Sequence, residues 1–581
     1  MRNENKEKSN ETSREGFYNK ATSEKSNSKR SRQTSKSKRN SAKPSSRFCD
    51  TGSNKVGNDP NWYNNNDQLL KDAASFSYFY PAGSKIDLQR TTTELTNILA
   101  GINDMGVMAC ATLDAPGCAT DQYSPVNVAA RQIYTWVRHA NSGHTNYDAP
   151  DLMLYILSMD SAYAMYAYMV RAYGCLQLFS QVNRYYPKGI MEAFSLDYDD
   201  FIANLADFRY FINSYAYKLA SLAVPASIPF FTRHVWMYSN TWLDDISAKA
   251  QLYVYTPYGF HVFDEFNATG GKLTFRKWHN SIDTSTGKLA LHKFADLKAM
   301  ANSILDAVLA SEDMNIMSGD ILKAFGTDGV LKVAPVSEDY VVFPQYSAEV
   351  ISQIKNATFV GSDFVDGSLD ITQNAGIGNG AILFQPKFTI EAEAVPIDTD
   401  KRVIQAQLLN TRRLISMWRD DITPDDTMVA TRLTVVPETT TNGGISICKL
   451  SCFGSELAIT HRECGFGTLP GDNTWQTAWT RDYGYAVAIE GDVSNAAKVI
   501  EMTTQIAQVT SSQYFKDQPA KVVAQRIMNS ADELMKWTVT MFMFDLNNYG
   551  ILDYQDLQKL HETALLSEFH CPLIGRYSPT K

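Results

Sequence analysis

Between Lys25 and Arg47 the chain carries no acidic residue, and its first 47 residues hold almost no large apolar side chain. A segment of that kind cannot bury enough surface to offset the entropy of ordering it, so it is expected to be disordered on its own. The start of the chain also lacks an apolar stretch of the kind that a secretory signal needs. The 8 cysteines are scattered without the spacing of a disulfide framework, so reduced thiols are expected. The motifs of common enzyme classes are missing as well. Gly287-Lys288 is followed by Leu289 rather than Ser or Thr, which excludes a phosphate-binding P-loop, and His561-Glu562 lacks the second histidine of a zinc protease. No Gly-Asp-Asp occurs. Gly376, Gly378 and Gly380 do not follow the dinucleotide-binding spacing, and their flanks read as a hairpin loop. An enzyme with a resident cofactor is therefore not expected.

What is present divides into two unlike polymers. Of 581 residues, 44% are hydrophobic and 12% aromatic, with 30 Tyr beside 28 Phe. That is ample for a large core and favours more than one folded unit. Tyrosine joins a broad apolar face to a polar tip, which suits a core or a surface buried between subunits. Residues 1–47 hold 14 Lys/Arg and 5 Glu, a balance of +9. The remaining 40 Lys/Arg face 58 Asp/Glu, a balance of −18. A basic arm on an acidic body is an arrangement for holding a polyanion through phosphate contacts and counterion release. The residues expected to do so are Lys25, Lys29, Arg30, Arg32, Lys36, Lys38, Arg39, Lys43 and Arg47. No fold is available there to aim side chains at base edges, so the contact should not be sequence-specific.

Periodicity gives the body a coarse map. Ser124-Pro125 reads as a helix start with proline in the first turn. Asp148 or Asp151 can cap a long helix expected to end at Gly174 as a left-handed cap. That helix contains the apolar run Leu152–Val170, whose one charge is Asp160. Asp160 and a set of Tyr and Ser residues argue for a helix buried on all sides rather than a membrane span. Further helical spacing covers residues 199–222, 290–310, 402–419, 494–508 and 520–545. Strand-like alternation marks Ala250–Phe263, with a turn at Pro257-Tyr258-Gly259, and also Gly361–Val395 and Thr427–Ser451.

Two groupings invite a metal and neither is expected to hold one. Cys448, Cys452, His461 and Cys464 have suitable ligand types but the spacing of no common zinc module. Asp545, Asn547, Gly550, Asp553 and Asp556 follow an EF-hand loop with helices on either side. Tyr549 and Asp556, however, stand where that loop has a ligand and its bidentate Glu.

The join between arm and body, NDPNWYNNNDQLLKDAAS, is the remaining motif. Trp62, Tyr63, Leu69 and Leu70 are the first residues able to anchor in a core, and Asp67–Ser75 can start a helix. The run Asn64-Asn65-Asn66 is a candidate for self-cleavage, because an Asn carboxamide can attack its own main-chain carbonyl when held against it. The plainer reading is a polar turn.

The blocks VNVAARQIYTWVRHANSGHTNYDAPDLMLYILSMDSAYAMYAYMVRAYG (Val126–Gly174), YKLASLAVPASIPFFTRHVWMYSNTW (Tyr217–Trp242) and QLYVYTPYGF (Gln251–Phe260) resemble picobirnavirus capsid proteins. So do the join itself, QLLNTRRLISMWRDDITPDD (Gln407–Asp426) and LHETALLSEF (Leu560–Phe569). The likeness runs from about residue 53 onward in unbroken order, while the arm is similar only in being basic and polar. The resemblance implies an α+β, predominantly helical shell domain with a smaller β-containing projecting domain, similar to the capsid fold of partitiviruses and other double-stranded RNA viruses. On that pattern residues 1–57 are the arm, 58–250 a helical shell region, 251–400 a mixed, β-richer projecting region, and 401–581 the helical and β completion of the shell. The resemblance further implies a homodimer, sixty dimers closing an icosahedral shell around a double-stranded RNA genome and the viral polymerase, assembly in the host cytoplasm, and an N-terminal peptide released by self-cleavage. Contact of that peptide with membranes would be electrostatic, given its few apolar residues. A reading from a different class is a non-viral RNA-binding scaffold or enzyme with a basic tail, which sedimentation distinguishes by particle size.

Overall fold

The computed structural model describes residues 66–73, 85–86, 102–103, 105–142, 146–178, 186–246, 252–265, 271–280, 290–360, 364–377, 380–390, 412–417, 419–442, 445–468, 475–483 and 549–570. The chain forms two compact units, Met1–Ser77 and Tyr78–Lys581. The described part of the first is helix α1 (Asp67–Ala73). Asn66 caps it: its side-chain oxygen accepts from the N–H groups of Gln68 at 3.0 Å and Leu69 at 3.2 Å.

The larger unit opens with the short pair β1 (Lys85–Ile86) and β2 (Ile102–Asn103), then β3 (Met105–Asp114). Six helices follow: α2 (Pro125–Asn141), α3 (Ala149–Leu176), α4 (Tyr186–Ala193), α5 (Tyr198–Ala203), α6 (Leu205–Leu219) and α7 (Pro229–Ser239). Next come β4 (Trp242–Leu243), β5 (Leu252–Pro257), β6 (Gly259–Asp264) and β7 (Lys272–Lys277), then α8 (Phe294–Ala310) and α9 (Glu312–Phe325). The middle holds β8 (Gln345–Tyr346), α10 (Ala348–Asn356), β9 (Ile371–Asn374), β10 (Ala381–Leu383) and β11 (Lys387–Ile390). The last elements are β12 (Arg412–Ser416), α11 (Pro424–Ala430), β13 (Val436–Asn442), β14 (Ile445–Cys452), β15 (Glu456–Thr468), β16 (Trp475–Tyr483), β17 (Tyr549–Asp553) and α12 (Tyr554–Glu568).

The centre is α3, 28 residues and so about 42 Å long. Asp148 and Asp151 form its capping box, with Asp148 N–H donating to the Asp151 carboxylate at 2.9 Å. Almost every side chain of the helix is buried. Two of its tyrosines manage this by placing their hydroxyls on backbone carbonyls: Tyr155 donates to Ala223 at 2.8 Å and Tyr168 to Phe194 at 2.7 Å. Arg171, wholly buried, lies over the Phe194 ring at 4.4 Å and donates to the carbonyl of Asn240 at 3.1 Å. No helix among the described residues is long and apolar enough to cross a membrane.

A six-stranded sheet in the order β16-β15-β3-β5-β4-β8 lies beside this helical layer. β3 pairs in parallel with β5, and the crossover between them carries α2 to α7. β15 returns from 342 residues beyond Asp114 to pair antiparallel with β3, Glu456 opposite Asp114. A second sheet, β10-β9-β7-β6, shares the same core through Val262, Leu273, Ile371 and Ile382.

Several expectations are corrected. The long helix does not end at Gly174 but continues to Leu176. The glycine is needed there for close approach: a Cβ would stand 2.6 Å from Val342 Cγ2 and 3.0 Å from the Val342 backbone nitrogen. Residues 412–416, inside the expected helix 402–419, form β12 instead, because β17 supplies a full antiparallel partner from Arg412–Asp553 to Ser416–Tyr549. Residues 402–411 of that expectation, and the expected helices 494–508 and 520–545, lie outside the described residues. Thr427–Ala430, expected to alternate as strand, close α11, which Thr423 caps. The EF-hand pattern fails in its second half: residues 549–553 are a strand, and Asp553 caps α12 by accepting from Asp556 N–H at 3.0 Å. Asp545 and Asn547 lie outside the described residues. Cys448 and Cys452 sit on β14, while His461 and Cys464 sit on β15 of a different sheet.

Candidate assembly surface and buried charge cluster

The nine basic residues from Lys25 to Arg47, and Asn64 and Asn65, lie outside the described residues. Asn66 is described as the cap of α1. The body then offers two features: aromatic side chains left uncovered on its surface, and a knot of charge inside it.

Among the described residues, the uncovered aromatics include Tyr123 ahead of α2 and two further groups. On α6, Tyr210 and Tyr217 are 75% and 84% exposed. They are seven residues apart, two helical turns, and so share one face. The other place is the β8 end of the large sheet. Tyr346 pairs with Leu243 of β4, Phe343 is 65% exposed, and both residues of β8 are exposed. Trp236 on α7, part exposed, packs its ring 4.8 Å from that of Trp242 on β4. β8 is the outermost strand of the described sheet, so its free edge is a template on which another chain can extend the ladder. Apolar rings beside an open strand edge are what an interface between copies requires.

Beneath Trp236 runs the charge cluster. Arg233 stacks over the Trp236 ring at 5.7 Å and donates through Nε to Glu456. The next residue of α7, His234, is wholly buried. Its Nδ1 donates to Asp160 of α3 at 2.7 Å. Its Nε2 faces Asp114 Oδ1 of β3 at 3.9 Å and Glu456 Oε1 of β15 at 3.7 Å. Asp114 also accepts from the Tyr238 hydroxyl at 2.8 Å. Burial pushes Asp114 up to about 7, with Asp160 and Glu456 adding to the rise and His234 and the Tyr238 hydroxyl opposing it. Burial opposes charge on His234, yet Asp114, Asp160 and Glu456 outweigh it and hold the imidazole up at about 10. Glu456 is also disfavoured by burial, but Arg233 and His234 hold it below the usual carboxylate range.

Sequence patterns flagged Asp160, as the one charge in an apolar run. They missed Asp114, Arg233, His234 and Glu456, which come from three other elements. The available signal was weak: Arg233-His234 interrupts the apolar stretch PFFTRHVWMY, just as Asp160 interrupts its own.

Residues 62–567 match the family described as picobirnavirus capsid protein. The capsid protein precursor of human picobirnavirus (strain Human/Thailand/Hy005102/-) is 33% identical over 349 residues, 58% of this chain and 62% of the relative. The match thus spans a little under two thirds of that relative's length. The X-ray crystallographic structure of the picobirnavirus capsid aligns with a TM-score of 0.67 at 20% identity, covering 90% of this chain and 100% of the other. At that identity the likeness is one of fold.

Proposed function

The chain belongs to the picobirnavirus capsid protein family, and from that premise we propose that it pairs into homodimers, sixty of which close an icosahedral shell in the host cytoplasm. The shell becomes the outer body of the virion. It encloses a double-stranded RNA genome and the viral polymerase. The protein is structural, and its work is done by surfaces.

The observation that carries this reading is the row of uncovered rings at an open strand edge, Trp236, Phe343 and Tyr346 beside β8. A body that fills its own core so completely, yet leaves these rings in solvent, gains from covering them with another copy. The charge division supports the cargo: an acidic body repels RNA phosphates while the basic arm, Lys25 to Arg47, collects them. Many arms inside one shell raise the local concentration of weak contacts.

Processing belongs to the same reading. Cleavage at the Asn64–Asn66 run would free the arm without cutting the body. The carboxamide nitrogen of an Asn attacks its own main-chain carbonyl carbon, a five-membered imide forms, and the following residue leaves as an amine. Assembly would supply the positioning on which such a reaction depends. The released basic peptide would bind anionic membranes by charge.

Phe343→Asp and Tyr346→Asp, singly and together, test the proposal by sedimentation velocity. The expected result is folded protein that stays small where the unaltered chain sediments as particles. Unchanged particle formation by the double variant would remove the β8 edge from the account.

A further inference from the structure

The cluster around His234 carries more negative charge than its fixed cation balances. Asp114, Asp160 and Glu456 are three carboxylates, each at most 8% exposed, and among the described residues Arg233 is the one guanidinium hydrogen-bonded to them. Arg432 and Glu568 interact with the same group and, being of opposite formal charge, leave its sum unchanged. Two negative charges are left over, and burying them uncompensated would cost several kcal/mol each. Protons on His234 and Asp114 are one way to balance them. A single divalent cation is another.

The geometry discriminates. A protonated Nε2–H would be a charged donor, and neighbouring carboxylates close on such a donor to about 2.8 Å. Here the two nearest carboxylate oxygens stand off at 3.7 and 3.9 Å, and Nε2 has no hydrogen-bond partner. Those separations are too long for a hydrogen bond but near the roughly 3.4 Å between two ligand atoms of a tetrahedral ion with bonds of about 2.1 Å. Asp160 Oδ1 and Glu456 Oε2 are likewise buried without partners. Ligand-bearing atoms of Asp114, Asp160 and His234 all lie within 4.8 Å of one another. Once a cation displaces the second proton, the bond from Nδ1 to Asp160 sets the tautomer and leaves the lone pair on Nε2, which is how a carboxylate prepares a metal-binding histidine.

We propose that His234 Nε2 and Asp114 hold one divalent transition-metal ion of the zinc class, with Asp160 orienting the imidazole and the Glu456 carboxylate completing the charge. A mixed nitrogen and oxygen site favours such an ion over magnesium or calcium. The ion joins α3, α7, β3 and β15, elements spread from Asp114 to Glu456, and enters as the body folds.

The test is metal analysis of the full chain, expressed with zinc and manganese in the medium and dialysed against metal-scavenged buffer. Elemental mass spectrometry should find about one transition-metal ion per chain, released on unfolding in denaturant to a colorimetric chelator. X-ray absorption at the metal edge should show only nitrogen and oxygen neighbours including an imidazole. His234→Gln and Asp114→Asn, where they fold, should fall below about a tenth of an ion per chain. Unaltered protein that already holds less than about a tenth overturns the proposal and leaves protons as the balancing charge. Sulfur neighbours at the metal edge, or folded variants that keep the full metal content, overturn it by placing the ion elsewhere.

Discussion

The carboxylate of Asp160 accepts a 2.7 Å hydrogen bond from Nδ1 of His234, joining the centre of α3 to α7. This contact explains why the apolar run Leu152–Val170 keeps one charge. Asp160→Asn should lower stability by about 3–5 kcal/mol, the usual cost of removing one partner from a buried pair. Thermal unfolding of the two proteins checks this. Asp160→Leu should lose soluble yield without entering the membrane fraction, since its helix is built to touch protein on every side; resistance to alkaline extraction would contradict that.

Gly174 gives a prediction opposite in sign to helix propensity. Replacing a helical Gly by Ala ordinarily gains about 0.5–1 kcal/mol. Here the new methyl would meet Val342 Cγ2 at 2.6 Å and the Val342 backbone nitrogen at 3.0 Å. Gly174→Ala should therefore destabilise by about 1–3 kcal/mol, the range for overpacking. A rise in the unfolding temperature would show that the 340–342 segment yields freely.

His261 sets an acid limit. Burial lowers its pKa from 6.5 to about 4, partly opposed by the bond its Nε2 donates to the Leu369 carbonyl at 2.9 Å. The folded chain thus keeps it neutral where the unfolded chain would take a proton. Its contribution is complete above about pH 6.5 and is lost as pH falls toward 4, on the order of 3 kcal/mol in all. Denaturant unfolding at pH 7.5 and pH 5 should show this loss, and His261→Gln should shrink the gap between the two pH values.

The arm carries a prediction about cargo. Deleting residues 1–47 removes a charge of +9 and should leave assembly possible while reducing packaged nucleic acid. RNA extracted from purified particles measures it, and in disrupted full-length particles RNA retention should weaken as salt rises. Truncated particles with a full RNA load would assign packaging to the body.

How much of this was legible in the sequence follows from how local each signal is. Ser124-Pro125 and the Asp148/Asp151 pair declare the starts of α2 and α3 because capping is settled within one turn. The NAGIGNG loop declares the β9–β10 hairpin for the same reason, with Asn374 opposite Ala381. Residues 412–416 could not be read as a strand, because their partner lies at residues 549–553 and pairing overrode the local helical spacing. The His234 cluster was hidden for the same reason: Asp114, Asp160, His234 and Glu456 meet only after β15 has paired with β3. Asn66 shows the converse, since its cap on α1 is a contact made within one turn.

Electron microscopy with sedimentation of the purified full-length protein bears most directly on the central claim. A chain that builds a viral shell should appear as uniform closed particles of megadalton mass. A small oligomer that stays small at every protein concentration and salt condition would contradict it.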